Sequence, residues 1–312
     1  MTGPSQGTET LSHPAETRTA GRGFDIGAVV IALRPRQWLK NVLVFGAPLA
    51  SGTITSPEVA RGSMAAFGIF CAAASSVYLC NDVRDRAVDA HHPRKCRRPI
   101  AAGLVNPVFA LVLALVLAVT ALGGAWLVTP ELFAVMVIYL VVQAAYCFGL
   151  REMAVVDLLV VTSGFLLRAL AGGAACDIPV TGWFVSVIGF ASLFVVAGKR
   201  FSEVVAADRQ ESGKRALAGV YTASYLRLVW GSALALTLAA YCLWVFEGTG
   251  ADEPTPWRAV SIVPMVAAML RYAQLVDGGT AEEPERVLLS DRMLIGCGVV
   301  WLVSITAATV LS

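Results

Sequence analysis

An all-helical bundle threaded through a lipid bilayer is the fold this sequence predicts, and three observations predict it. Of the 312 residues, 57% are hydrophobic and only 15% charged, with a mean hydropathy of +0.69. A soluble domain of this length could not bury so much apolar surface. Apolar runs of roughly 20 residues, enough to cross a ~30 Å hydrocarbon core, recur along the chain. Lys and Arg crowd into alternate connections between those runs. Helices rather than strands follow, because hydrocarbon offers no water to unpaired backbone groups.

Residues 1–24, rich in Thr, Gly, Ser and Pro and lacking an apolar h-region, read as a disordered tail rather than a cleaved signal peptide. Residues 25–312 then form one transmembrane domain. About nine spans are expected, near 28–50, 62–80, 106–128, 131–149, 153–171, 180–198, 222–246, 257–275 and 292–311. The seven cysteines are scattered without CxxC pairing. They suit helix packing and point to neither a disulfide framework nor a zinc site.

Arg34, Arg36 and Lys40 open the first span. Further cations fill the connections after spans two (Arg84 to Arg98), six (Lys199 to Arg215) and eight (Arg286, Arg292), whereas the alternate connections hold only Arg61 and Arg258. The positive-inside bias therefore places the amino terminus and the loops after spans two, four, six and eight in the cytoplasm, and Ser312 outside. No internal repeat is visible.

The chemistry-bearing stretch is Asn81-Asp82-Val83-Arg84-Asp85-Arg86-Ala87-Val88-Asp89, at the foot of the second span. On a helical wheel, Asn81, Asp85, Asp89 and Asp82 point to about 0°, 40°, 80° and 100°, so they share one face. Carboxylates clustered beside a bilayer repel one another and resist desolvation, and a cation makes them tolerable. Hard oxygen ligands without His or Cys suit Mg²⁺, which commonly arrives with substrate phosphates. A solvated, charged helix end is the other reading of the same residues.

Lys199, Arg200 and Glu203 share a face at the matching end of span six, at about 0°, 100° and 40°. Two readings are open: snorkelling into lipid headgroups, or a cationic wall facing the aspartates across a polar mouth. The run Arg94-Lys95-Cys96-Arg97-Arg98-Pro99 either sets topology and holds anionic lipid or clamps phosphate. In Arg34-Pro35-Arg36-Gln37-Trp38-Leu39-Lys40-Asn41, Lys40 follows Arg36 by one helical turn, so the two can address one anion, and Trp38 suits an interfacial anchor. Asp157 lies one turn inside span five and Arg168 much deeper, about 16 Å further on, which rules out a direct ion pair. Ionisable residues at that depth are functional candidates by default. Outward snorkelling is the competing reading for Arg168, and core packing for Tyr78 and Tyr146.

These residues resemble the UbiA superfamily of intramembrane prenyltransferases, whose NDxxDxxxD motif after the second span is matched from Asn81 through Asp89. The resemblance implies a bundle of about nine helices around a cytoplasm-facing polar cavity. It also implies Mg²⁺ held by Asn81, Asp82, Asp85 and Asp89 against a donor's diphosphate. Members of that superfamily carry a second Asp-rich DxxxD after span six, where this chain has Gly198-Lys199-Arg200-Phe201-Ser202-Glu203. Cations in place of carboxylates favour a site that holds more negative charge than one diphosphate. This departure, with the Arg34–Asn41 segment, Arg98-Pro99-Ile100-Ala101-Ala102-Gly103 and Gly164-Phe165-Leu166-Leu167-Arg168, is similar to the decaprenyl-phosphate phosphoribosyltransferase branch.

For that branch the implied donor is phosphoribosyl pyrophosphate, the acceptor is decaprenyl (polyprenyl) phosphate, and the product leads to the arabinose donor of actinobacterial cell walls. The location implied is a bacterial plasma membrane, with the lipid bilayer as partner and no nucleic acid. Oligomeric state stays open, a homotrimer being one compatible assembly. Catalysis is then expected of Asp82, Asp85, Asp89 and Lys199. Substrate contact is expected of Arg34, Arg36, Lys40, Asn41, Arg94, Lys95, Arg97, Arg98, Asp157, Arg168, Lys199, Arg200 and Glu203. Two rivals remain: a superfamily prenyltransferase using a prenyl diphosphate donor, and a transporter of lipid-linked phosphates. Transporters tend to place charges at the midplane within repeated, broken helices. The DGxxAR pattern of CDP-alcohol phosphotransferases is absent.

Overall fold

The structure is a computed structural model that describes residues 25–93, 95–209, 221–246 and 256–310. Among these residues all regular structure is helical. Two of the long helices start where the sequence supplies both a cap and a proline. Asn106 accepts from Val108 N–H ahead of Pro107, and Thr129 accepts from Leu132 N–H ahead of Pro130. Such caps satisfy orphan amides, and proline at the first helical position has no amide to leave unpaired. The resulting helices are α3 (Pro57–Arg84), α5 (Pro107–Val128), α6 (Pro130–Cys147), α7 (Val156–Cys176), α8 (Gly182–Arg209), α9 (Ala223–Phe246) and α11 (Ile262–Asp277). Shorter pieces are α1 (Ile26–Ala32), α2 (Gly46–Ala50), α4 (Arg86–Ala90), α10 (Pro256–Val260) and α12 (Pro284–Ser290), and the chain closes with α13 (Arg292–Val310).

Seven helices among the described residues are long and apolar enough to span a bilayer, and eight if the bent pair α12–α13 counts as one. Of the nine spans expected, the last corresponds to that bent pair and the first is not a continuous helix. Residues 28–50 form no continuous α-helix but run as α1, an eleven-residue 3-10 segment Pro35–Phe45, and α2. Pro35 accounts for the break after α1: its ring disfavours the right-handed α region for Arg34, which takes φ 56°, ψ 58°. The 80° bend between α12 and α13 falls at Asp291, whose extended backbone ends one helix while its carboxylate caps the next at Met293 and Leu294 N–H.

Helix α7 joins the two larger cores. Leu158 near its start belongs with Phe194, Phe201 and Leu226, whereas Leu167 belongs with Phe70, Leu132 and Met136. Against α7 lies the 3-10 segment, so close that a Cβ on Gly172 would strike the Val44 carbonyl. Only glycine fits there.

Candidate functional site

The ends of α3 and α8, the start of α7, the 3-10 segment and α12 bring charged side chains together at one end of the bundle, where α6 ends in the neutral Tyr146 and Cys147. The NDxxDxxxD stretch does not continue as one helix, since α3 stops at Arg84 and α4 restarts at Arg86. The four oxygen-bearing side chains consequently separate. Asp82 and Asp89 are both buried and turn inward. One guanidinium nitrogen, Arg98 Nη1, donates to Asp82 Oδ1 at 3.1 Å and to Asp89 Oδ2 at 2.5 Å. Arg34 Nη2 reaches Asp82 Oδ1 as well.

Asp85 turns the other way, taking Nη1 of Arg151 on both oxygens at 3.1 and 2.9 Å. Bonded to Asp85, the Arg151 guanidinium holds its proton more tightly than usual. Asn81 Oδ1 accepts from Cys147 Sγ at 2.8 Å. Among the described residues no three acidic, His or Cys side chains gather around one point.

The second group is built on α7 and α8. Asp157, 2% exposed, accepts from Arg200 Nε at 3.0 Å, Arg200 Nη2 at 2.9 Å and the Tyr146 hydroxyl at 2.8 Å. Arg200 Nη1 also donates to Glu203, and Lys199 Nζ lies 3.8 Å from the other Glu203 oxygen. A strained turn sets Asp157 in place: Val155 adopts φ 67°, ψ −50°, with Val156 N–H bonded back to the Ala154 carbonyl. This is a γ-turn geometry, costly for a β-branched residue.

Between the groups lies the 3-10 segment. Three residues per turn align side chains three apart, so Arg34, Gln37 and Lys40 share a face. Gln37 Nε2 donates to Glu285 at 2.8 Å, and Lys40 Nζ stands 3.9 Å from the same carboxylate. The α-helical pairing of Arg36 with Lys40 is thereby corrected: at about 120° per residue the two diverge, and Arg36 is exposed. Lys95 and Arg97 are exposed too and make no ion pair with the aspartates, while Arg94 lies outside the described residues.

Asn41 and Arg168 meet each other rather than the aspartates. Arg168, 6% exposed, donates to Asn41 Oδ1 at 2.7 Å, the Gly164 carbonyl at 2.6 Å and the Tyr139 hydroxyl at 3.1 Å. It does not snorkel. Its guanidinium also sits over Tyr139 and near the rings of Phe70 and Phe165, and it pairs with no carboxylate among the described residues.

Asp82, Asp85, Asp89, Asp157, Glu203 and Glu285 are thus matched by Arg34, Lys40, Arg98, Arg151, Lys199 and Arg200. Acids on one wall facing cations on the other, as the sequence suggests, would leave each wall uncompensated beside lipid. Instead the two signs interleave. Sequence reasoning misses Glu285, Arg151 and the role of Tyr146 as a donor to Asp157. The pattern at Pro284-Glu285 resembles any helix start, so Glu285 carried no signal of its own. A cleft of about 540 Å³ lined by Glu282, Glu283, Arg286 and Asp291 shares no residue with this network.

The UbiA prenyltransferase family model matches residues 42–298. The chain belongs to the UbiA prenyltransferase family. It is 48% identical over 287 residues to the decaprenyl-phosphate phosphoribosyltransferase of Mycobacterium tuberculosis strain H37Rv, covering 91% of this chain and 94% of that protein. It is 45% identical over 294 residues to the protein of the same name from Mycolicibacterium smegmatis, covering 91% and 92%. A UbiA homolog from Archaeoglobus fulgidus, bound to GPP and Mg²⁺, superposes with a TM-score of 0.69 at 16% identity, over 91% of this chain and 100% of that one. With its apolar spans, this UbiA-family chain is a multi-pass membrane protein and a transferase by kinship.

The donor set fits the divalent ion that the family suggests. Two buried carboxylates aim at one point where a cationic nitrogen now lies. Mg²⁺ needs only one or two carboxylates when phosphates and water supply its other ligands.

Proposed function

We propose that this protein transfers a 5-phosphoribosyl group from phosphoribosyl pyrophosphate to decaprenyl phosphate, releasing diphosphate. The observation that carries the reading is the 48% identity to a decaprenyl-phosphate phosphoribosyltransferase along nearly its whole length. The charge network supports it: three phosphate-bearing groups (the donor's 5-phosphate and diphosphate, and the acceptor's phosphate) need more positive charge than one metal supplies. Arg34, Lys40 and Arg98 supply it by leaving their carboxylate partners, and Lys199 and Arg200 supply it from where they are held.

Asp82 and Asp89 would hold Mg²⁺, with Asp85 and Asn81 joining when their contacts to Arg151 and Cys147 open. Bound there, the ion would neutralise the departing diphosphate as the ribose C1–O bond breaks. Lys199 and Arg200, fixed by Glu203 and Asp157, orient phosphate on the facing side, and guanidinium groups suit this through paired N–H donors. The acceptor phosphate, with a second pKa of ~6, is already ionised at neutral pH, so its oxygen attacks C1 without a general base. The charged end faces the cytoplasm in this reading, because the Lys- and Arg-rich connections lie there and the donor is water-soluble.

Purified protein in lipid nanodiscs, given labelled phosphoribosyl pyrophosphate, Mg²⁺ and decaprenyl phosphate, is expected to release diphosphate and form labelled lipid. Use of a labelled prenyl diphosphate instead, with no transfer from the ribosyl donor, would overturn the proposal.

A further inference from the structure

Arg98 occupies an unusual place. Its Nη1 lies within hydrogen-bond distance of two buried carboxylates from different helices, Asp82 at the end of α3 and Asp89 in α4. Two such acids repel each other and are costly to desolvate, and a cation placed between them offsets both costs. Arg98 is tethered by Pro99, buried behind it, and by Ile100, fully buried, which fix its backbone while its side chain stays partly exposed. A monovalent group on a flexible stem holds the point on which both acids converge, and it can swing toward solvent.

We propose that Arg98 is the resident counter-cation of the metal position: it neutralises Asp82 and Asp89 in the ligand-free protein, and on donor binding it yields that point to the divalent ion and moves onto the diphosphate. The inference rests on the metal reading above and deepens it. No bond is made or broken in the exchange; one cation replaces another between the same acids, and the displaced guanidinium finds a new anion in the group the metal brings. The consequence is a sign reversal that a plain phosphate-binding arginine would not produce. Because Arg98 competes with the metal, removing its charge strengthens metal binding in the absence of donor. Because Arg98 then serves the diphosphate, the same change weakens the coupling between metal and diphosphate, which is reciprocal for the two ligands.

The test uses the full-length protein in nanodiscs with Mn²⁺ as probe, read by loss of the free-ion paramagnetic resonance signal, with and without inorganic diphosphate. Arg98→Gln is expected to bind Mn²⁺ alone roughly tenfold more tightly than wild type, given the repulsion of two cations a few ångströms apart. Diphosphate should then improve Mn²⁺ binding less than it does in wild type. Arg98→Lys restores both values toward wild type. Arg86→Gln, which removes the same charge from an exposed neighbour, leaves both unchanged.

Asp82→Asn is the mirror variant and needs no stable Arg98 mutant. It frees Arg98 and Arg34 from a competitor and is expected to bind diphosphate more tightly in EDTA while binding Mn²⁺ less tightly. Arg98→Gln binding Mn²⁺ no more tightly than wild type, or Asp82→Asn gaining nothing for metal-free diphosphate, overturns the proposal while leaving the metal reading intact. Wild type that takes up no Mn²⁺ even with diphosphate overturns both.

Discussion

Asp157 and Arg200 allow the energetics of the charged end to be worked out in numbers. Asp157→Ala removes two bonds from Arg200 and one from Tyr146. All three end on the Asp157 carboxylate, and hydrogen bonds to charged groups contribute about 1.5–3 kcal/mol each. Full loss would therefore approach about 6 kcal/mol, but two effects reduce it. Glu203 still holds Arg200 Nη1, and the guanidinium, 18% exposed, can recruit water. Breaking a buried pair from one side typically costs about 3–5 kcal/mol, and the lower end, about 3 kcal/mol, is expected here.

Arg200→Met strands Asp157 with Tyr146 alone and is expected to cost about as much. The double variant leaves neither charge stranded, so the two costs should overlap by about 2 kcal/mol. Unfolding of each variant in dodecylmaltoside–SDS mixed micelles, followed by tryptophan fluorescence, gives the cycle directly. Costs that add to within ~0.5 kcal/mol would refute the idea that these side chains act as one unit.

Other outcomes follow from the same geometry. Gly172→Ala sets a methyl against the Val44 carbonyl, so overpacking of about 3 kcal/mol or more should sharply lower the yield of monodisperse protein in size-exclusion chromatography. Arg168→Gln cannot reach its three acceptors at once and should lose about 2–4 kcal/mol in the same micelle assay. Arg151→Gln breaks a pair whose partners are 36% and 24% exposed, so its stability change should stay below about 1 kcal/mol. EDTA is expected to abolish diphosphate release from the ribosyl donor and added Mg²⁺ to restore it; release that persists in EDTA would remove the metal from the reaction.

Fold class and the two charged stretches were legible because they are local. Hydropathy marked the long helices, and the wheel brought Lys199, Arg200 and Glu203 to one face, where the ion pairs are found. Legibility ended where geometry departed from 100° per residue. The presumed first span broke at Pro35 into a 3-10 segment, so Lys40 came to share a face with Arg34 and Gln37 rather than with Arg36, and met Glu285. The break at Asp85 likewise separated aspartates that one continuous helix would have aligned. Glu285, Arg151 and Tyr146 were out of reach because their partners lie 248, 66 and 11 residues away. Their importance comes from tertiary placement, which no spacing along the chain encodes.

Charged groups reaching into a bilayer-embedded bundle also create a hazard, since a path that admits anionic substrate could let sodium ions or protons leak down their gradients. Arg168 answers it. Clamped by three neutral acceptors and enclosed by aromatic rings, it fixes a permanent positive charge behind the network, repelling small cations that stray past it. Pores that must exclude protons use an arginine in the same way. One residue would then serve both the architecture and the insulation of the membrane.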